Sequence, residues 1–181
     1  MSWLLPSWRH SGWRPRMSRM SIDALLANIT PKAIAWAKAQ SEGALASGLP
    51  LNAEEIELAK NVGVREAARV RIAWVNRLPI PVDPAFQPLL DSTGLADMAG
   101  LTLGYAIFLV PSRANHGLLA HELRHVHQYE QLGGIDGFMP VYLNQVARLE
   151  YDNAPLEIDA YEYELMARSG KLSGQKLDQS F

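Results

Sequence analysis

Residues 118–134 have the sequence LLAHELRHVHQYEQLGG, and this stretch carries the clearest structural signal in the chain. Apolar residues precede its polar centre, no proline interrupts it, and residues 133–134 form the kind of glycine stop that commonly ends a helix. Leu123 and Val126 give the segment a side that can be buried. We therefore predict a helix over residues 118–132.

A His-Glu-Leu-Arg-His motif occupies residues 121–125 of this predicted helix. Positions four apart in a helix differ by about 40° of rotation, so His121 and His125 would present both imidazoles on one side. Their spacing suits a single zinc ion bound at roughly 2.0–2.1 Å by each ring. Glu122 lies about 100° around the axis from His121, where it can act as a general base on water activated by that zinc.

The composition limits which other residues could bind a metal. The chain has 181 residues, of which 48% are hydrophobic and 20% charged, as expected for a globular protein with one core. It contains no cysteine, which excludes disulfides, cysteine zinc sites and iron–sulfur clusters. Any metal ligand must therefore be His, Asp or Glu, and four of the five histidines lie within residues 116–127.

A catalytic zinc site needs a third protein ligand. Because no histidine follows His127, a ligand later in the chain must be a carboxylate. The best candidate is Glu157, in the first turn of a helix predicted over residues 155–169. Ala160, one turn further on, is small enough to let this helix approach the histidine helix closely. The competing carboxylates are Glu150, Asp152, Asp159, Glu162 and Glu164.

Several polar neighbours are assigned supporting roles. Asp159 is a candidate hydrogen-bond acceptor for the free N–H of a ligand histidine. Arg124 and Gln128 are predicted to be partners of neighbouring acids. Glu162 and Glu164 are expected on a solvated face.

The other two histidines of the cluster are expected outside the main ligand set. His127 lies about 200° around the helix from His125, so a polar-face or packing role is predicted. His116 precedes the predicted helix in a loop and stays an alternative ligand.

The rest of the chain predicts a mainly helical α+β fold with a small sheet. Further helices are predicted over residues 21–40, 52–61 and 137–151, and Pro31 is expected to start a second helical stretch within the first of these. Strands are predicted over residues 70–75 and 100–110. Loops are predicted over residues 41–50 and 79–90. Gly104 is predicted to be a bulge or a point of close approach. The predicted organisation is a flexible basic arm at residues 1–20, one domain over residues 21–170 and a flexible tail at residues 171–181.

Charge is distributed unevenly along the chain. The first twenty residues carry four of the 17 basic residues and no acid, which leaves 13 bases against 19 acids in the remainder. An acidic body argues against a nucleic-acid-binding surface. The longest apolar run, residues 99–110, is shorter than the about 20 residues of a membrane span. We expect a soluble, cytoplasmic protein whose first twenty residues form a disordered tail or a membrane-surface arm.

The HExxH motif followed by a glutamate on a later helix, here within Glu-x-Asp-Ala at residues 157–160, resembles the gluzincin group of zinc metallopeptidases. The string HELRHVHQ at residues 121–128 resembles the HExxHxxQ form of uncharacterised bacterial zincin-like domains. This resemblance covers roughly residues 98–168. It implies a zincin-like fold in which the strand at residues 100–110 borders the substrate cleft. It also implies that His121, His125 and Glu157 bind zinc and that Glu122 is the base.

The resemblance implies a zinc-dependent hydrolase, in the simplest case a small metallopeptidase acting on a peptide or protein. Glu122 would take a proton from water and pass it to the leaving amine. A donor must stabilise the oxyanion; Tyr105 and Tyr161 are favoured over Tyr129, Tyr142 and Tyr151. Two alternatives stay open: a metal-retaining zincin-fold binding module without catalysis, and a helical interaction domain in which the motif is accidental.

Overall fold

The structure is a computed structural model that describes residues 19–93 and 98–172. Within these ranges the helices are α1 (Arg19–Ser47), α2 (Ala53–Asn61), α3 (Gln87–Thr93), α4 (His116–Gln131), α5 (Ile135–Leu149) and α6 (Pro155–Arg168). The strands are β1 (Leu49–Pro50), β2 (Arg71–Trp74), β3 (Gly100–Leu103) and β4 (Ala106–Leu109). The predicted α+β, mainly helical class is confirmed.

The four strands form one mixed sheet in the order β1-β2-β4-β3. β2 and β4 are parallel, with Ile72 opposite Ile107, while β1 and β3 run antiparallel to their neighbours. Helices cover both faces of the central strand β4. Ile107 packs into a core built with α2 and α4, and Phe108 packs into a second core built with α1 and α5. The sheet therefore separates two apolar cores.

Residues 100–110 form a hairpin, and the prediction of one continuous strand is wrong. β3 and β4 pair with Leu103 opposite Ala106, so the chain reverses at Gly104 and Tyr105. Gly104 has a φ of 67°, a left-handed conformation that glycine adopts without strain. The predicted bulge at Gly104 is thus a turn. β4 is buried on both faces, so its residues are all apolar and show no alternation with polar residues. The sequence pattern therefore does not show where one strand ends and the next begins.

The first helix is also longer than predicted. α1 continues through Pro31 and Gly43 to Ser47, so the predicted restart at Pro31 and the loop over residues 41–50 are wrong. Its buried alanine and isoleucine positions recur at intervals of four or more and pack into the second core: Ile29, Ala33, Ala37 and Ala44. Ser41 lies on this buried side and donates a hydrogen bond to the Leu103 carbonyl at 2.9 Å. Burial of one face therefore outweighs the local helix-breaking tendency.

The remaining elements lie close to their predicted positions. α2 has the predicted Asn52 cap, which forms a reciprocal capping box with Glu55. β2 and α6 also appear where expected, and α6 starts at Pro155. The predicted loop over residues 79–90 instead contains a 3-10 turn at Pro84–Phe86 and the start of α3.

Most of the predicted arm and tail lies outside the described residues. Of the arm, only Arg19 and Met20 are described, and they begin α1. Of the tail, Lys171 and Leu172 are described, and Leu172 is buried. Among the described helices, none combines the length and apolarity needed to cross a membrane.

One buried carboxylate fixes the loop that enters β2. The side chain of Glu130, near the end of α4, is only 2% exposed. It accepts hydrogen bonds from the backbone N–H groups of Arg65 and Glu66 at 2.8 and 2.9 Å. Tyr105 also donates its hydroxyl to this carboxylate at 3.2 Å.

We expect Glu130→Ala to lower the free energy of unfolding by about 2 kcal/mol or more, because it leaves two backbone donors without their partner. Urea denaturation followed by circular dichroism measures this loss. Glu57→Ala is the matched control, since the Glu57 side chain is 67% exposed and forms a surface ion pair with Lys60; its effect should stay within about 0.5 kcal/mol. Equal losses for the two variants would contradict the structural role of Glu130.

Candidate metal centre

The site is built on two helices that pack along each other. α4 supplies His121 and His125 one turn apart, and α6 supplies Glu157 in its first turn. Ala160 is fully buried on α6, where it takes up little space. The predicted close approach of these two helices is therefore present.

The three side chains direct one atom each toward a common point. His121 Nε2 lies 3.1 Å from His125 Nε2 and 3.3 Å from Glu157 Oε2. His125 Nε2 lies 3.5 Å from the same carboxylate oxygen. Ligand atoms about 2.0–2.1 Å from a tetrahedral metal are separated by roughly 3.3–3.4 Å. The observed triangle thus has the size of one face of such a coordination shell.

Hydrogen bonding also favours a cation at this point. Glu157 Oε2 is fully buried and has no hydrogen-bond partner among the described residues. Such an atom is costly to bury, and a bound metal would satisfy it. All three residues are buried. His121, His125 and Glu157 can therefore hold a metal ion.

The pKa values of the triad reflect the same electrostatics. Burial raises the pKa of Glu157, but the two histidines outweigh burial and hold that pKa well below its usual range. Burial lowers the pKa of His125, yet Glu157 and neighbouring groups outweigh it and raise this pKa to about 9. The three side chains together favour positive charge between them.

Glu122 lies beside the triad and against β3. Thr102 donates its hydroxyl to the Glu122 carboxylate at 2.7 Å. Gly100, two residues earlier on the same strand, is so close that a Cβ atom there would overlap this carboxylate. Burial raises the pKa of Glu122, although the nearby histidines oppose the shift. The strand therefore holds Glu122 in a narrow slot next to the ligand atoms.

The two tyrosines predicted to stabilise the oxyanion, Tyr105 and Tyr161, lie in different parts of the structure. Tyr105 sits at the β3–β4 turn, bound to Glu130 and covered by Arg69, and it is not brought to the triad. Tyr161 is 54% exposed and lines the cleft next to His121 and Glu157.

Two other tyrosines lie closer to the ligands. Tyr142 and Tyr151 place their hydroxyls beside the Glu157 carboxylate. Burial raises the pKa of both phenols, and the Glu157 carboxylate raises it further. Tyr129 instead donates to the Thr102 carbonyl at 3.2 Å. Tyr151 follows α5 in a 3-10 turn, and only the folded chain brings this turn to Glu157.

Glu164 does not lie on a solvated face, and that prediction is wrong. Its side chain is 13% exposed, and its Oε2 atom lies 3.4 Å from His121 Nδ1. Arg168 donates to its other oxygen at 2.6 Å. Glu164 follows Glu157 by seven residues, or about two helical turns, so both carboxylates face α4.

The positions of three other polar residues can be compared with their predictions. His127 points away from the triad, as predicted, and contacts the Gly63 carbonyl through Nδ1 at 2.7 Å. His116 belongs to the first turn of α4, not to a loop, and lines a separate groove. Asp159 contacts Arg124 and Gln128, so its predicted direct contact with a ligand histidine is wrong.

Two cavities meet at the triad. An open cleft of about 660 Å³ is lined by His121, Glu122 and Glu157, together with residues 98–100 at the entry to β3 and apolar and acidic residues of α6. A smaller, mostly apolar cavity of about 100 Å³ extends from the same residues toward α1 and α5, where Trp36 and Phe138 line it. The ligand atoms therefore lie between an entrance and an inner pocket.

No protein-family model, curated protein or solved structure matches this chain. The case for a metal centre therefore rests on the residues of the site itself.

We expect zinc to raise the melting temperature, because a ligand that binds only the folded state stabilises it. At a free zinc concentration 100 times the Kd, the gain is about 2.7 kcal/mol, or about 5–10 °C for a chain of this size. Differential scanning fluorimetry with and without zinc measures this shift.

His125→Ala should abolish the zinc-dependent shift, whereas Asp152→Asn should retain it. Asp152 lines the cleft but does not belong to the triad. A shift of equal size in His125→Ala would place the zinc elsewhere.

Proposed function

We propose that this protein is a zinc-dependent hydrolase of the metallopeptidase type, similar to gluzincins, in which Glu122 acts as the general base. The observation that supports this most strongly is the position of a buried carboxylate beside three ligand atoms that form one face of a tetrahedron. Three protein ligands leave a fourth position for water or substrate, an arrangement typical of catalytic zinc.

The choice of zinc follows from the donor set. Two imidazole nitrogens and one carboxylate oxygen are the ligands that several zinc hydrolases use. When bound, zinc lowers the pKa of a water molecule toward about 7 and polarises a substrate carbonyl.

Glu122 is suited to proton transfer. Burial raises the pKa of its carboxyl group above that of an exposed glutamate, and the nearby histidines oppose this shift. Thr102 orients one oxygen of the carboxylate, and the cleft gives water access to the same side chain. In the proposed reaction Glu122 accepts a proton from the attacking water and donates it to the leaving amine.

The cleft offers room for an extended peptide. β3 is the last strand at one end of the described sheet, so a substrate backbone can pair with its outer edge near Gly100; the Thr102 carbonyl further along β3 already accepts a hydrogen bond from Tyr129. Tyr151 and Tyr161 line the same cleft and are candidate donors to the oxyanion. We propose a peptide or protein substrate on these grounds.

One observation favours a second candidate function, a metal-retaining binding module without catalysis. Glu122 is 3% exposed and is already bonded to Thr102, so its carboxylate could serve as a structural link between α4 and β3. Such a module would bind zinc and peptides without cleaving them.

Glu122→Gln separates these functions. If Glu122 is the base, hydrolysis of a mixed peptide library should fall by about 10²–10⁴-fold while zinc remains bound. Mass spectrometry of the digest, with a chelator-treated sample as the blank, measures cleavage. Absence of cleavage by the zinc-loaded wild type, or cleavage unchanged in Glu122→Gln, would contradict the hydrolase proposal.

Gly100→Ala tests the position of the base without altering a titratable group. The added methyl group overlaps the Glu122 carboxylate and must displace it. We expect zinc stoichiometry to persist and peptide hydrolysis to fall by at least tenfold. Gly43→Ala provides a matched control, because a Cβ atom added there meets no other atom within 4 Å; it should retain near wild-type cleavage.

A further inference from the structure

One buried amide side chain connects the two halves of the metal centre. Gln128 is buried on α4, one turn after His125. Its Oε1 atom lies 2.8 Å from His125 Nδ1. Its Nε2 atom donates to the Leu156 carbonyl at 2.9 Å and to Asp159 at 2.6 Å. Leu156 and Asp159 lie on either side of Glu157 in α6.

The partners of Gln128 determine which way its amide points. A backbone carbonyl and a carboxylate can only accept hydrogen bonds, so the NH₂ end must face α6. The oxygen end then faces His125, and Nδ1 must carry the proton to donate to it. A neutral His125 consequently keeps its lone pair on Nε2, the atom that faces His121 and Glu157.

Asp159 is itself held in place. Arg124 donates to both carboxylate oxygens of Asp159, at 2.8 and 2.9 Å. Arg124 also donates to the Val62 carbonyl at 2.9 Å and lies over the Tyr163 ring. This two-point contact fixes a charged acceptor for the Gln128 amide.

His121 lacks an equivalent support among the described residues. Its Nδ1 atom is buried without a hydrogen bond of good geometry, and Glu164 lies 3.4 Å away. The hydrogen bonds that orient the ligands therefore act on His125 and on the first turn of α6.

We propose, given the metal site proposed above, that Gln128 is the positioning residue of this centre. Its hydrogen bonds connect the Asp159 carboxylate to His125, and they also fix the first turn of α6, which carries Glu157. A single side chain then sets both the tautomer of one ligand and the position of another. Groups that orient metal ligands in this way typically contribute 10–100-fold to metal affinity.

Gln128→Leu tests this role by removing all three hydrogen bonds at similar volume. We expect the Kd for zinc, measured by competition with a chromophoric chelator, to rise about 10–100-fold. The visible absorption of the cobalt-loaded protein should change as well, because the coordination geometry is less well fixed. His127→Leu is the matched control on the same helix; it loses the contact with the Gly63 carbonyl and should keep wild-type affinity and spectrum.

Two further variants keep the test informative if Gln128→Leu does not fold. Gln128→Glu places a second carboxylate against Asp159 and the Leu156 carbonyl and should weaken zinc binding. Gln128→Asn keeps the amide but is one methylene shorter, so it cannot reach His125 and α6 at the same time. We expect both variants to raise the Kd for zinc at least tenfold.

The outcomes distinguish this inference from the hydrolase proposal. A wild type that does not bind zinc would overturn both. Zinc affinity and cobalt spectrum unchanged in Gln128→Leu, or equal losses in His127→Leu, would overturn the positioning role alone. Zinc affinity unchanged in Gln128→Glu and Gln128→Asn would do the same. Absence of peptide cleavage by a zinc-loaded wild type would overturn the hydrolase proposal and leave the positioning role standing.

Discussion

Three buried donor atoms from two helices meet within 3.5 Å of one another, and the packing of α4 against α6 makes this possible. Without a cation, two imidazole nitrogens and a carboxylate oxygen would face each other, and that oxygen has no hydrogen-bond partner in the described part of the chain. The small Ala160 lets the helices approach, and the Arg124–Asp159 pair fixes their relative position. The first turn of α6 is thereby placed opposite the middle of α4.

The sheet positions Glu122, a residue of α4, beside this centre. β3 crosses α4 at Glu122, where Thr102 donates to the carboxylate and Gly100 leaves room for it. The opposite end of the hairpin meets α4 at Glu130, eight residues or about 12 Å further along the helix. The same hairpin thus contacts a candidate base at one end and a structural carboxylate at the other.

Much of the ligand set could be predicted because its spacing is local. A separation of four residues places His121 and His125 on one side of any helix, and the lack of cysteine and of later histidines leaves a carboxylate as the third ligand.

The partners of these residues depend on tertiary contacts instead. The prediction for Tyr105 assumes a continuous strand, whereas the turn at Gly104 carries this residue to Glu130. Glu164 and Tyr151 reach the site only through the packing of α6 and the turn after α5. In the same way, burial of one side of α1 outweighs Pro31.

Anomalous X-ray diffraction at the zinc edge, from crystals grown with one equivalent of zinc, is the most direct test of the metal centre. We expect one strong peak about 2.0–2.2 Å from His121 Nε2, His125 Nε2 and a Glu157 oxygen. We also expect Gln128 to keep its amide oxygen toward His125. A peak at other residues, or no peak between these three side chains, would contradict the assignment of the metal centre.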